Sequence, residues 1–226
     1  MKLTLREVQP DTSDAYSFIF EPAEPLQWQA GQYLEYILPH KNPDDRGIER
    51  DLTIAAPLYE EYPRITTRFS EPSSSFKKAL RALKVGDSIE AEGPKGKFTA
   101  EDPNQQYVFI AGGIGITPFR AILLDMDHRK QPIEVKLLYA NRNNEFVFRQ
   151  ELDALTSTNP DFSIRYLMDP ERVTSDVIRE EVLDLSLPLY YVSGPAPMVF
   201  SISDMLKDMG IAGDHIKLDD FPGYED

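Results

Sequence analysis

The chain has 226 residues and 25.8 kDa, with 38 acidic against 24 basic side chains, a net charge of −14 and no cysteine. Without thiols there is no disulfide, Cys-ligated zinc site, iron–sulfur cluster or thiolate nucleophile, and with only His40, His128 and His215 no metal site is expected. The acidic balance argues against nucleic acid and anionic membranes as partners; no apolar run reaches the roughly 18 residues of a membrane span.

The first seven residues alternate polar and apolar without a hydrophobic core, unlike a signal peptide, so a cytoplasmic location is expected. A 41% hydrophobic, 11% aromatic composition is that of a folded chain, and the length fits one or two domains. Along residues 1–99, short alternating segments read as strands: Lys2–Val8, Ala15–Phe20, Gln32–Leu38, Arg64–Phe69 and Ser88–Ala91. Pro and Gly punctuate them. One amphipathic stretch intervenes: Phe76, Ala79, Leu80 and Leu83 recur at helical spacing behind Ser73-Ser74-Ser75, an N-cap cluster. Several strands and one helix suggest a small antiparallel barrel.

From about residue 103 strands and helices alternate. Tyr107–Ala111, Ile133–Ala140, Ser163–Met168, Leu189–Val192 and His215–Leu218 read as strands. Phe119–Asp127, Glu145–Leu155, Ser175–Leu183 and Ala196–Met209 read as helices, the last closed by Gly210. This rhythm implies a parallel sheet with helical crossovers. The fold class expected is therefore β + α/β: an antiparallel β-barrel over residues 1–101 followed by a parallel-sheet α/β domain over 102–226. Charge follows the same division, with a net of −3 over residues 1–100 and −11 over 101–226. Lys77, Lys78, Arg81, Lys84, Lys95 and Lys97 form a basic group in the first half, read either as a solvated face or as a docking surface for an acidic partner or cofactor phosphate.

Four motifs stand out. Ala111-Gly112-Gly113-Ile114-Gly115-Ile116-Thr117-Pro118 follows a strand and opens a helix. Its glycines allow close backbone approach to a ligand, Thr117 can cap, Pro118 suits the first turn, and the helix start offers free N–H groups to an anion. Pro118 stands where a dinucleotide fingerprint has its third glycine, and no Gly-Lys-Ser/Thr follows as in a P-loop; a plain tight turn is the other reading. Ser193-Gly194-Pro195 lies at the carboxyl end of another parallel strand, where ligands gather in open α/β sheets. Arg50-Asp51-Leu52-Thr53-Ile54 could hold a phosphate and a polar ring edge, and Gly93-Pro94-Lys95-Gly96-Lys97-Phe98 is a turn-rich loop. No G-x-S-x-G elbow or H-E-x-x-H motif is present.

Taken together and in order, Ala30-Gly31-Gln32-Tyr33-Leu34, Arg50-x-Leu52-Thr53, Gly93-Pro94-x-Gly96-x-Phe98, Gly112-Gly113-x-Gly115-Ile116-Thr117-Pro118, Leu138-Tyr139-Ala140-Asn141-Arg142 and Tyr191-Val192-Ser193-Gly194-Pro195 make the whole chain resemble the ferredoxin–NADP reductase superfamily. The resemblance implies that the barrel binds flavin and the α/β domain a pyridine nucleotide. It implies that Arg50 contacts a flavin phosphate, that Thr53 lies by the flavin N5 with Leu52 over the ring and Ile54 beside it, and that Ser74 or Ser75 meets the diphosphate of FAD. Gly112, Gly113, Gly115, Ile116, Thr117 and Pro118 would take the nucleotide pyrophosphate. Asn141 and Arg142 would lie near the adenosine ribose, and Ser193, Gly194 and Pro195 would line the nicotinamide pocket, Thr53 and Ser193 being the catalytic pair. Leu52 stands where the family usually has an aromatic ring, and Ser193 where it usually has a cysteine. The family's terminal aromatic is Phe221 or Tyr224 here.

The implied function is a flavin-dependent NAD(P)H oxidoreductase that passes hydride from nicotinamide to bound FAD, in preference to FMN, and electrons onward. Lacking an iron–sulfur cluster, the chain would deliver them to a separate acceptor: a ferredoxin-like carrier, an oxygenase component or a small molecule. The alternatives are a reductase of free flavin or ferric chelates, and a non-catalytic flavin- or nucleotide-binding regulatory subunit. Arg142 and Arg149 could meet a 2′-phosphate, so NADH and NADPH both remain open.

Overall fold

A computed structural model describes residues 1–70 and 72–221, and Tyr224 lies outside them. The chain divides into two units, Met1–Ala100 and Glu101–Asp226. In the first, alternating residues build β1 (Lys2–Pro10), β2 (Ala15–Pro22), β3 (Tyr33–Ile37), β4 (Glu49–Thr53), β5 (Arg64–Arg68) and β6 (Ser88–Lys95). Among the described residues these form one antiparallel sheet in the order β4-β3-β6-β1-β2-β5. Its two edges nearly close into a barrel: just past β4, the Ala55 N–H donates to Arg64 O at the start of β5, at 2.9 Å. Inward residues Leu3, Phe18, Phe20, Leu34, Tyr36, Ile65 and Ala91 fill the interior. The single tryptophan, Trp28, joins them and donates its ring N–H to Ala56 O at 2.8 Å, so its polar tip is satisfied in the core.

The helix α1 (Ser75–Ala82) plugs this core with Phe76 and Leu80. Ser74 is its N-cap, the hydroxyl accepting the Lys77 N–H at 3.3 Å. Half of the basic group is engaged. Lys77 donates to Arg68 O, Arg81 lies over the Tyr16 and Phe69 rings at 5.4 and 5.2 Å, and Lys95 pairs with Glu35.

Two features of the barrel differ from expectation. β4 is a strand with a single apolar side chain, Leu52, packed on the core; β3 dictates it through the register Tyr33↔Thr53 to Ile37↔Glu49. β6 runs on through Gly93 and Pro94 rather than ending at Ala91, because a register shift opposite Tyr33–Glu35 absorbs the turn-like residues and Gly93 takes φ +120°.

The second unit holds β7 (Tyr107–Gly112), β8 (Val135–Asn141), β9 (Phe162–Met168), β10 (Leu189–Pro195) and β11 (Ile216–Phe221). Among the described residues they form a wholly parallel sheet in the order β11-β10-β7-β8-β9. The expected fold class, an antiparallel barrel with a parallel α/β unit, is thus observed. Between the strands run α2 (Ile116–His128), α3 (Arg149–Thr158), α4 (Ser175–Glu181) and α5 (Ala196–Asp208). Every residue of β7 is buried, as a central parallel strand requires. Val108 and Ile110 face α4 and α5, while Phe109 stacks on Phe119 of α2 at 4.6 Å between centroids.

The helix expected from Glu145 begins only at Arg149. Phe148 adopts a left-handed backbone, φ 62°, which cannot continue into an earlier turn. Its ring lies under the guanidinium of Arg120, 4.9 Å away. Arg120 is 2% exposed and forks onto Glu151 at 2.6 and 3.1 Å, tying α2 to α3. No described helix is long and apolar enough to cross a membrane.

Candidate functional site

β7 is first in sequence yet central in the second unit's sheet, with β8 and β9 on one side and β10 and β11 on the other. The order reverses between β7 and β10, and a crevice forms outside the carboxyl ends of the strands at such a point. The residues expected for the nucleotide converge there. An added Cβ on Gly112 would lie 2.3 Å from Met198 Sδ, and one on Gly194 would lie 3.2 Å from Gly112 backbone atoms. A Cβ on Gly115 would stand 2.1 Å from Ser193 O. Those three glycines let the β7 and β10 turns pack against each other. Gly113 is different: φ is +54°, and an added Cβ would meet nothing nearer than Asn141 Oδ1 at 3.9 Å. It is the glycine of the four that faces open space.

The α2 start is also reordered. Gly115, not Thr117, is the N-cap residue, and no side chain caps it. Thr117 is buried and donates its hydroxyl back to Ile114 O at 3.0 Å, and Ile116 and Pro118 are buried beside it. These three side chains pack the turn, and the Ile116 N–H is bonded to the carbonyls of Gly113 and Ile114. Asn141 bridges loops: its amide donates to Asn143 O, Asn143 Oδ1 and Glu145 O at 3.0, 3.2 and 3.0 Å. Arg142 is exposed. Arg149 lies flat over Tyr166, 4.5 Å from its centroid, with Asp153 at 3.5 Å; Asp153 also accepts from the Tyr166 hydroxyl at 2.7 Å.

Ser193 is completely buried, and its hydroxyl donates to Asp219 Oδ2 on β11 at 2.9 Å. Burial pushes the Asp219 carboxyl up to about 6, against the pull of the Ser193 hydrogen bond. Parallel pairing sets Pro195 beside Phe221, at the same end of the sheet.

In the first unit, Thr53 is buried on the β4 face that also carries Asp51 and, opposite them on β3, Tyr33 and Glu35. Gly96 packs under the Tyr33 ring: a Cβ there would lie 2.9 Å from Cδ1. Ile54 is fully buried in the barrel core. Arg50, with its side chain 9% exposed, lies 5.3 Å from the Phe76 ring of α1. Its Nη1 donates to Arg46 O at 2.7 Å and Glu49 O at 2.5 Å, and its Nη2 to Asp44 Oδ1 at 3.1 Å. Asp44 Oδ2 accepts the Ser75 N–H at 2.8 Å, so one carboxylate joins Arg50 to the start of α1.

A family model for the oxidoreductase NAD-binding domain matches residues 109–204. The chain is 30% identical over 198 residues to a component of the Na(+)-translocating NADH-quinone reductase of Idiomarina loihiensis, spanning 80% of this chain and 47% of that protein; it thus spans about half the length of the curated relatives it matches. Among solved structures, the flavohem-like FAD/NAD-binding domain of the Vibrio cholerae nitric oxide dioxygenase superposes with a TM-score of 0.83 at 23% identity, over 97% of this chain and 98% of that one. The Plasmodium falciparum ferredoxin-NADP+ reductase gives 0.81 at 17% identity, over 97% and 95%.

The fold of the chain is that of the ferredoxin–NADP reductase superfamily. In a chain of this fold, two acids escape a reading of motifs. Asp44 and Asp219 are each one carboxylate among 38 in sequence, and only the fold brings them to Arg50 and Ser193. The sole sequence cue to Asp219 is its place two residues before Phe221.

Proposed function

We propose that the chain is an NADH-dependent FAD reductase delivering electrons to a separate acceptor. The observation that carries the reading is the switch in strand order between β7 and β10. There Gly113 takes a positive φ with room for a close neighbour, next to a helix start that no side chain caps and beside Ser193-Gly194-Pro195. Amides at such a point fit a pyrophosphate, and the tight Gly112, Gly115 and Gly194 packing holds them in place.

The residues of the first unit fit a flavin: a hydroxyl at Thr53, a cation at Arg50, and a helix start at Ser74 and Ser75. When bound, the nicotinamide supplies a hydride that the flavin accepts, so the protein supplies alignment rather than acid–base chemistry. Gly112 to Pro118 form the turn that takes the nucleotide's pyrophosphate, with main-chain amides of the residues before Pro118 as donors. Asn141 fixes the loop that borders the adenosine ribose, and Gly194 and Pro195 shape the nicotinamide end. The Ser193 hydroxyl is oriented by Asp219, and Phe221 stands beside Pro195 at the mouth of that pocket. Thr53 presents its hydroxyl to the polar edge of the flavin ring, with Leu52 and Ile54 anchoring β4 in the barrel.

NADH is favoured over NADPH because Arg149, the cation available to a 2′-phosphate on α3, is paired with Asp153 and rests against the Tyr166 ring. A phosphate dianion arriving there meets the Asp153 carboxylate, and like charges at close range are costly. The relative from Idiomarina loihiensis is itself part of an NADH-quinone reductase. With ferricyanide as acceptor and FAD present, kcat/KM for NADH is expected to exceed that for NADPH by about tenfold or more, about 1.4 kcal/mol. Equal values, or a preference for NADPH, would overturn this cofactor assignment.

A further inference from the structure

The Asp44 carboxylate sits where the anion of a ligand is expected. It accepts from Ser75 N–H, the first amide of α1, at 2.8 Å, from Arg50 Nη2 at 3.1 Å and from Arg46 N–H at 3.2 Å. The Asp44 amide donates in return to Ser75 Oγ at 2.9 Å. A helix-start amide plus a forked guanidinium is the donor set that holds a phosphate. Here it stabilises the carboxylate, lowering its pKa to about 2, with the Ser75 amide the largest cause. Arg50 Nη1 is spent on the carbonyls of residues 46, 47 and 49.

Beside Asp44 opens a cleft of about 550 Å³ flanked by Lys41 and Lys78. His40 Nε2 and Ser73 Oγ on its lining are buried and have no hydrogen-bond partner among the described residues. Asp44 is the one acid among the described residues lining this cleft. Cations and unmet polar atoms suit an anion, yet the strongest donors are already held from within.

We propose that Asp44 is an internal competitor for the flavin phosphate: it holds Arg50 and the α1 amide until a phosphate displaces it. The inference rests on the reading of the first unit as flavin-binding. A phosphate and a carboxylate cannot share one guanidinium and one amide without strong repulsion, so every phosphate that binds must first move Asp44. Asp44 thereby weakens flavin retention and makes the bound flavin easier to exchange.

The test is calorimetric titration of the full chain and its Asp44→Asn variant with FAD, FMN, riboflavin and inorganic pyrophosphate. The Kd for FAD, FMN and pyrophosphate is expected to fall about tenfold in the variant, with riboflavin unchanged. Asp44→Ser, whose hydroxyl can still accept the α1 amide, serves if Asn does not fold. Unchanged or weaker binding of the phosphate ligands would overturn the proposal and make Asp44 a strut for Arg50; so would equal tightening of riboflavin. Tighter pyrophosphate without any flavin binding would keep the competitor and overturn the flavin reading. Binding of no ligand to either protein would overturn both.

Discussion

Replacing Gly115 by alanine is expected to destabilise the second unit by about 3 kcal/mol or more and to abolish nucleotide binding. The reason is not backbone conformation, since φ at Gly115 is −58° and suits any residue. It is space: the new methyl would stand 2.1 Å from Ser193 O, 2.4 Å from its carbonyl carbon and 2.7 Å from Gly194 N. All three are main-chain atoms at the end of β10, so no side-chain rotation relieves the clash. The β7 and β10 turns must separate, and their separation opens the crevice that aligns the amides. Gly113→Ala is the matched control. It carries the cost of a left-handed alanine, about 1 kcal/mol, but meets no atom closer than 3.9 Å. Urea unfolding followed by far-UV circular dichroism distinguishes the two. Loss of less than about 1 kcal/mol in Gly115→Ala would contradict the packing account.

Asp219→Asn is expected to stabilise the protein at about pH 8 by roughly 2 kcal/mol and to leave stability near pH 4 almost unchanged. Burial raises the Asp219 carboxyl from 3.8 to about 6, Asp220 adds repulsion, and the Ser193 hydroxyl offsets only part of this. In the unfolded chain the carboxyl ionises at its ordinary value. Between about pH 4 and 6 the unfolded state therefore loses its proton while the native state keeps it, and stability falls as pH rises through that window. Above it the native state carries a carboxylate that burial disfavours, and asparagine removes that cost while still accepting from Ser193. A lower stability of Asp219→Asn at pH 8 would mean that the charge-assisted bond from Ser193 outweighs burial. A half-buried acid kept at such a cost fits the proposed role at the nicotinamide pocket better than a stabilising one.

The α/β half was legible because its strands are short apolar runs and its helices amphipathic, so local pattern and fold agree. The Gly112–Pro118 turn and the Ser74 cap could be read for the same reason: each is a local solution to a local geometry. β4 could not. Glu49-Arg50-Asp51-Leu52-Thr53 has little strand character, and its pairing with β3 is imposed from elsewhere in the chain. The late start of α3 was hidden because Phe146-Val147-Phe148 mimics helical periodicity, whereas the Asn141 hydrogen bonds and the left-handed Phe148 set the boundary. The glycines and Ser193 expected for the nucleotide stood out in the sequence, and the fold brings them to one end of the second unit's sheet. What those glycines do was not legible: three of the four serve the contact of two turns, and one faces open space. Asp44 and Asp219 act through partners 31 and 26 residues away, beyond any local pattern.

The central claim, that this chain carries hydride from NADH to a flavin it binds, is tested most directly by anaerobic titration of the FAD-loaded protein with NADH while the visible band of the oxidised flavin is recorded. The account predicts that the band is lost in proportion to added NADH, with near one-to-one stoichiometry, and returns when an acceptor is admitted. A protein that binds both FAD and NADH while the band stays unchanged would contradict it.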